Sequence, residues 1–212
     1  MEEVKRAPSR SYQQFCGLAR ALDAIGDRWS LLIVRELLPG PQRYGELAAS
    51  LDGIATNLLA DRLRSLESTG IIERRPGRTR GVVYSLTPWG AQLREPVESL
   101  VRWSAPLMAT GRREADMFHP RWLAVALPAL LHDKRATRPV ELGIQAAGLF
   151  LTLRIDKTGP RVTLDPDARP TTTLTADPED LIALAARAIP LDEVLARSPH
   201  HGNPKIFSAV FG

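Results

Sequence analysis

With 212 residues, 44% apolar and 25% charged, the chain has the length of two domains of roughly 100 residues each and the make-up of a folded polymer rather than a disordered one. Its formal charge of +4 is unevenly placed: residues 1–112 hold 16 Lys and Arg against 12 Asp and Glu, and residues 113–212 hold 12 of each. The basic half suits a polyanionic partner, because each neutralised phosphate releases counterions. The longest apolar stretch, residues 122–131, is interrupted by Pro128 and is too short to span a bilayer. The start has no apolar core for a signal peptide, and a lone cysteine, Cys16, can form no internal disulfide, so the cytoplasm is the expected compartment.

Leu18, Leu22 and Ile25 recur at helical spacing and stop at Gly26. Asp27 is then placed to cap a helix over 28–38, which Pro39-Gly40-Pro41 ends. A short helix over 44–51 follows, then a tight turn at Asp52-Gly53 and an amphipathic helix over 56–67. In this pair Leu47 and Leu51 face Leu59, Leu63 and Leu66, which turns Thr56, Asn57, Ala60, Asp61 and Arg64 outward. Gly70 ends the second helix. Residues 71–75 and 82–86 then read as two strands of a hairpin around Pro76-Gly77 and Gly81, with Arg74, Arg75, Arg78 and Arg80 on or beside it.

Helix, turn, helix and basic hairpin in that order form a helix-turn-helix plus wing. Such a second helix presents polar side chains to the DNA major groove. Asn pairs with adenine and Arg with guanine in bidentate fashion, so Thr56, Asn57, Asp61 and Arg64 are the candidate base contacts. Arg43, Tyr44, Arg74, Arg78 and Arg80 are the candidate contacts to backbone or minor groove.

Thr87-Pro88 next supplies a helix N-cap with proline at the first position. Leu93, Val97, Leu100, Val101, Ser104 and Met108 follow on one face, with Pro96 and Pro106 expected to kink or divide the helix. The register changes near residues 111–113. Residues 122–131 form an apolar helix, and period-two alternation marks strands at 140–144, 149–155 and 162–164, with a fourth candidate at 171–176. Asp177-Pro178-Glu179-Asp180 then opens a helix running to about residue 188. The expected fold class is α+β. A winged-helix domain for DNA binding and dimerisation over 1–111 precedes a smaller domain over 112–212, with helices packed on one open, mixed or antiparallel sheet.

His119, His132, His200 and His201 lack metal-ligand spacing, and no phosphate loop, nucleophile elbow or zinc-protease motif occurs. No catalytic residue, metal or cofactor is therefore assigned, and the chain is not read as an enzyme.

Residues 15–33, from Phe15-Cys16-Gly17 through Gly26-Asp27-Arg28-Trp29-Ser30, resemble the opening of the HxlR-type regulators. The resemblance continues through Tyr44-Gly45-Glu46-Leu47, Arg62-Leu63-Arg64-Ser65-Leu66-Glu67, Gly70-Ile71-Ile72-Glu73-Arg74 and Tyr84-Ser85-Leu86-Thr87-Pro88-Trp89-Gly90. It implies a bacterial or archaeal winged-helix transcription regulator that binds double-stranded DNA as a homodimer, pairing through its N-terminal helix and the helix after the wing. Cys16 matches a position that some of these regulators use as a thiol switch, and Arg20 one turn on is placed to favour the thiolate; the bland alternative is plain packing. One departure is Ala55, where the family places a capping serine; Thr56 is the available substitute, and using it would shift the helix start by one residue.

The second half, through residues 139–144, 149–155, Asp177-Pro178-Glu179-Asp180-Leu181 and Gly202-Asn203-Pro204, is similar to sterol-carrier-protein-like domains. That resemblance implies a hydrophobic small-molecule effector, with Trp122, Leu127, Leu130, Leu142, Phe150 and Leu151 as candidate pocket residues, although an ordinary core has the same composition. The rival reading is a lipid-binding protein whose winged helix mainly mediates dimerisation.

Overall fold

The computed structural model describes residues 11–77, 81–108, 111, 113–165 and 167–212. Its contacts divide the chain into two compact units, residues 1–93 and 94–212, each built around its own apolar cluster.

In the first unit, α1 (Gly17–Ile25) and α2 (Ser30–Leu37) are followed by α3 (Tyr44–Ser50) and α4 (Thr56–Ser68). Helix α2 supplies Ile33, Val34 and Leu37 to the buried set, α3 supplies Leu47, and α4 supplies Leu59, Leu63 and Leu66, all at most 3% exposed. The leucine spacing on α4 is that of one helix face, and burying it leaves the opposite face in water. Gly53, at φ +81°, makes the turn between α3 and α4, a backbone geometry that costs an L residue but not glycine. The end of α4 is closed in the same way by Gly70 at φ +76°, with the Ile71 amide donating to Leu66 O at 2.9 Å.

Strands β1 (Ile72–Pro76) and β2 (Val82–Leu86) pair antiparallel with Ile72 opposite Leu86 and Arg74 opposite Tyr84. A single bridge from Gln42 to Tyr84 ties this hairpin to the segment before α3. Two expected caps differ. Residues 27–29 form a turn, α2 starts at Ser30, and the Asp27 carboxylate pairs with Arg62 at 2.6 Å instead of capping. Thr87 does accept a backbone amide, but from Gly90 at 3.0 Å, where a 3-10 turn over Gly90–Leu93 begins, and the α-helix starts only at Arg94.

The second unit opens with α5 (Arg94–Met108), whose Pro96 lies in its first turn, where no intrahelical amide is lost. Only Val97 of this helix is buried. A 3-10 turn at Pro120–Trp122 leads into α6 (Leu123–Leu130), which is buried nearly all round.

Strands β3 (Val140–Ala146), β4 (Leu149–Asp156), β5 (Gly159–Thr163), β6 (Thr173–Thr175) and β7 (His200–His201) form one sheet in the order β5-β4-β3-β6-β7. It is mixed: β3 and β6 run parallel, with Ile144 opposite Leu174, and every other pairing is antiparallel. Helices α7 (Pro178–Ala185), α8 (Leu191–Arg197) and α9 (Pro204–Phe211) complete the unit. Leu142 and Ile144 of β3, Leu151, Leu153 and Ile155 of β4, and Leu174 of β6 share one apolar cluster with Leu123 and Leu127 of α6, Leu181 of α7, Val194 of α8 and Phe207 of α9. No helix among the described residues is long and apolar enough to cross a membrane.

Candidate nucleic-acid interface

Helix α4 carries the candidate reading face. Thr56, Asn57, Asp61 and Arg64 are all exposed, while Leu59 and Leu63 between them are buried. Ala55 is the N-cap residue and offers no side-chain bond, so Thr56 does not replace it and the helix begins at Thr56. The outward register read from the leucine spacing therefore stands for these four residues, while Ala60 is half-buried. Tyr44 is half-buried and its hydroxyl donates to Thr56 O at 2.9 Å, which pins the start of α3 to the start of α4. Arg43, exposed at the N-cap of α3, has its backbone amide received by Glu46 Oε2 at 2.6 Å.

The hairpin is anchored at its base. The Thr87 hydroxyl donates to Gly70 O at 2.7 Å, and the Thr87 amide donates to Ile71 O at 3.0 Å. Gly90 packs so closely that a Cβ built on it would lie 2.0 Å from Ile71 O, which requires glycine there for space alone. Arg74 and Arg75 project from β1, both exposed. Arg78 and Arg80, the expected tip contacts, lie outside the described residues.

The arginines of this element are held by carboxylates, of which Glu67 and Glu73 were not among the candidates the residue pattern brought forward. Arg64 Nη2 donates to Asp61 Oδ1, and Arg75 Nη2 to Glu73 Oε1. Arg74 Nε donates to Glu67 Oε1 at 2.9 Å, linking the last turn of α4 to β1. That bond, and the Glu67 charge behind it, hold the Arg74 guanidinium above its ordinary value. The Asp61–Arg64 spacing of i, i+3 was visible in the sequence. The Glu67–Arg74 pair needs the fold.

Residues 24–111 match the family model described as HxlR-like helix-turn-helix. The chain is 36% identical over 99 residues to the HTH-type transcriptional regulator sll1512 of Synechocystis sp., covering 46% of this chain and 73% of that protein. The chain belongs to the HxlR-like helix-turn-helix family. Two Bacillus subtilis relatives are similar in the same way: the HTH-type transcriptional regulators YodB, at 34% over 86 residues, and YvaP, at 34% over 87 residues, each covering 40% of this chain and 77% and 81% of theirs. The HxlR-like match spans α2 to the end of α5 and leaves the sheet of the second unit outside it.

Two helices of this HxlR-like chain expose apolar stripes. On and just before α1, Phe15, Leu18 and Leu22 are exposed at 106%, 69% and 40%. On α5, Leu100, Trp103 and Leu107 are exposed at 47%, 75% and 70%. Both sets follow the i, i+3, i+7 spacing of one helix face. Cys16 is exposed at the N-cap of α1. Its thiol is lowered from the ordinary value by the backbone amides of Ala19 and then Leu18, not by Arg20, whose guanidinium lies 3.9 Å from Asp23.

The six candidate pocket residues are not brought to one place. Leu127, Leu142 and Leu151 are fully buried in the core cluster and Leu130 packs against it. Phe150, adjacent to Leu151 on β4, points to the other face of the sheet, as strand alternation requires, and lies across Gly143, where a Cβ would meet its ring at 2.9 Å. Trp122 sits in the 3-10 turn before α6, edge-on to Phe118 at 5.9 Å between centroids.

Proposed function

We propose that this protein is a sequence-specific DNA-binding transcription regulator of the cytoplasm, acting as a homodimer on an inverted-repeat operator. The observation that carries the reading is the face of α4: Thr56, Asn57, Asp61 and Arg64 stand in solvent on a helix docked by its leucines, with Arg74 and Arg75 on the adjoining strand. Such a rod fits the major groove by its polar side, and neighbouring guanidinium groups serve the phosphates. The regulator names of the relatives support the same reading.

Homodimerisation is supported by the apolar stripes of α1 and α5, which lack a partner among the described residues in amounts unusual for a surface left to water. For that reason we assign residues 1–111, including α5, to DNA binding and dimerisation, and residues 112–212 to regulatory input. Two α4 helices related by a two-fold axis would enter successive major grooves roughly 34–36 Å apart. A hydrophobic effector is assigned to the second unit, in which Leu127, Leu142 and Leu151 are themselves packed core. It regulates only by binding one arrangement of the paired reading helices better than another. Cys16, exposed beside Phe15, is assigned a redox input to the same pairing.

Selection of bound duplexes from a random-sequence pool, followed by footprinting on the recovered site, tests the proposal. The expected product is a palindromic site whose half-sites are one helical turn apart. Recovery of no enriched sequence, with binding equal on all duplexes, would refute it.

A further inference from the structure

The four arginines on α4 and β1 all end on carboxylates of the same unit. Arg62 pairs with Asp27, Arg64 with Asp61, Arg74 with Glu67 and Arg75 with Glu73. Three of the four acids, Asp61, Glu67 and Glu73, lie on the reading helix or the wing strand themselves. Each acid repels a polyanion and occupies a donor that could neutralise it, so for gripping phosphates alone these acids are a cost, even where Glu67 also ties α4 to β1 through Arg74.

We infer that Asp61, Glu67 and Glu73 are specificity-determining residues, which hold Arg64, Arg74 and Arg75 in exchangeable ion pairs and so penalise DNA that cannot replace the carboxylate with a better partner. The inference rests on the DNA-reading function proposed above.

The pairs are suited to exchange. The Arg64 and Asp61 side chains are 74% and 55% exposed and those of Arg75 and Glu73 are 55% and 37% exposed, so water screens them and they open readily. On unmatched DNA a phosphate near Arg64 competes with Asp61 for one guanidinium while Asp61 stays close to the phosphates, and the two effects offset. On a matched site Arg64 turns to the O6 and N7 of guanine. Asp61 is then free to accept from a cytosine N4 amino group, a contact no phosphate imitates. Glu67 differs in detail. It takes the Nε of Arg74 and leaves the terminal nitrogens to the DNA, so it aims that guanidinium as well as restraining it.

The test uses the full chain carrying Asp61→Asn, Glu67→Gln and Glu73→Gln, singly and together. These substitutions keep shape while removing charge, and thermal melting by circular dichroism verifies the fold. Dissociation constants are measured on the selected operator and on a scrambled duplex between about 50 and 200 mM salt.

The triple variant is expected to bind scrambled DNA about tenfold or more tighter, since each exposed pair removed contributes roughly two- to fivefold. The scrambled-DNA salt slope should steepen by up to about 0.9 for each arginine released. Operator affinity should rise less, so the ratio between the two falls. Asp61→Asn alone should also relax preference at one base pair, which the two Gln variants should not do. Unchanged scrambled-DNA affinity and slope in the triple variant, or an equal gain on both duplexes, would overturn the inference while leaving the regulator reading intact. A wild-type protein with no preference for any duplex would overturn both.

Discussion

Replacing Trp103 by alanine tests homodimerisation at the most exposed large side chain of α5. Trp103 stands 75% exposed on α5, flanked one turn away by Leu100 and Leu107. Covering three quarters of a tryptophan removes on the order of 150 Å² from water, which at about 25 cal/mol/Å² contributes up to about 4 kcal/mol. Interfaces seldom return the full area value, and a central aromatic typically costs about 2 kcal/mol or more on truncation. A two-fold interface contains the residue twice, so the loss per dimer is about 4 kcal/mol, or roughly a thousandfold in the dissociation constant. Sedimentation equilibrium from nanomolar to micromolar protein reads this directly. Because the side chain is exposed, the monomer's far-ultraviolet dichroism and melting temperature should be unchanged. A Trp103→Ala protein that dissociates within about threefold of the wild type, or a wild type that is monomeric at micromolar concentration, would refute the reasoning.

Gly90→Ala should destabilise the first unit by about 1–3 kcal/mol, because its Cβ would fall 2.0 Å from Ile71 O; a melting temperature equal to wild type would show that the backbone shifts freely. Cys16 should react with iodoacetamide with a pH midpoint below that of a free cysteine peptide, since the Ala19 and Leu18 amides favour its thiolate; coincident pH–rate curves would count against it. Glu98, on α5, is raised above the ordinary glutamate value chiefly by burial, against the pull of Arg94. It therefore keeps its proton where the unfolded chain has lost it, and its contribution to stability is full below the unfolded value and lost as pH rises through the folded one. Urea midpoints at successive pH values upward from about 4.5 should show this fall, and Glu98→Gln should flatten it; an unchanged slope in that variant would remove Glu98 as the cause.

The N-terminal elements were legible because each had a local signal. Leucines at helical spacing gave α4 its buried face, glycines at 53 and 70 required positive φ, and two runs of strand-like composition around Pro76-Gly77 and Gly81 marked the wing. What could not be read depended on distant partners. Asp27 has the form of a cap, but Arg62, thirty-five positions on in the sequence, takes its carboxylate. Strand β7 is two residues long, too short for any period, and exists only because β6 offers it an edge. Helix α9 did carry a signal, since Asn203 caps it by accepting from Lys205 at 3.0 Å with Pro204 at its first position. The pocket candidates failed to converge for a different reason, which the alternation over 149–155 already carried: adjacent Phe150 and Leu151 take opposite faces of β4.

The parallel pairing of β3 with β6 has a kinetic side. Hairpins such as β1–β2 and β3–β4 close over a few residues, whereas Ile144 meets Leu174 only across the whole β4–β5 excursion, and β7 must then arrive from beyond α8. Loop entropy has to be lost before those contacts reward it. On a ribosome the reading half can therefore mature while the β6 edge of β3 still awaits its neighbour, and until β6 arrives the exposed backbone of that edge is open to a chaperone or an unwanted sister strand.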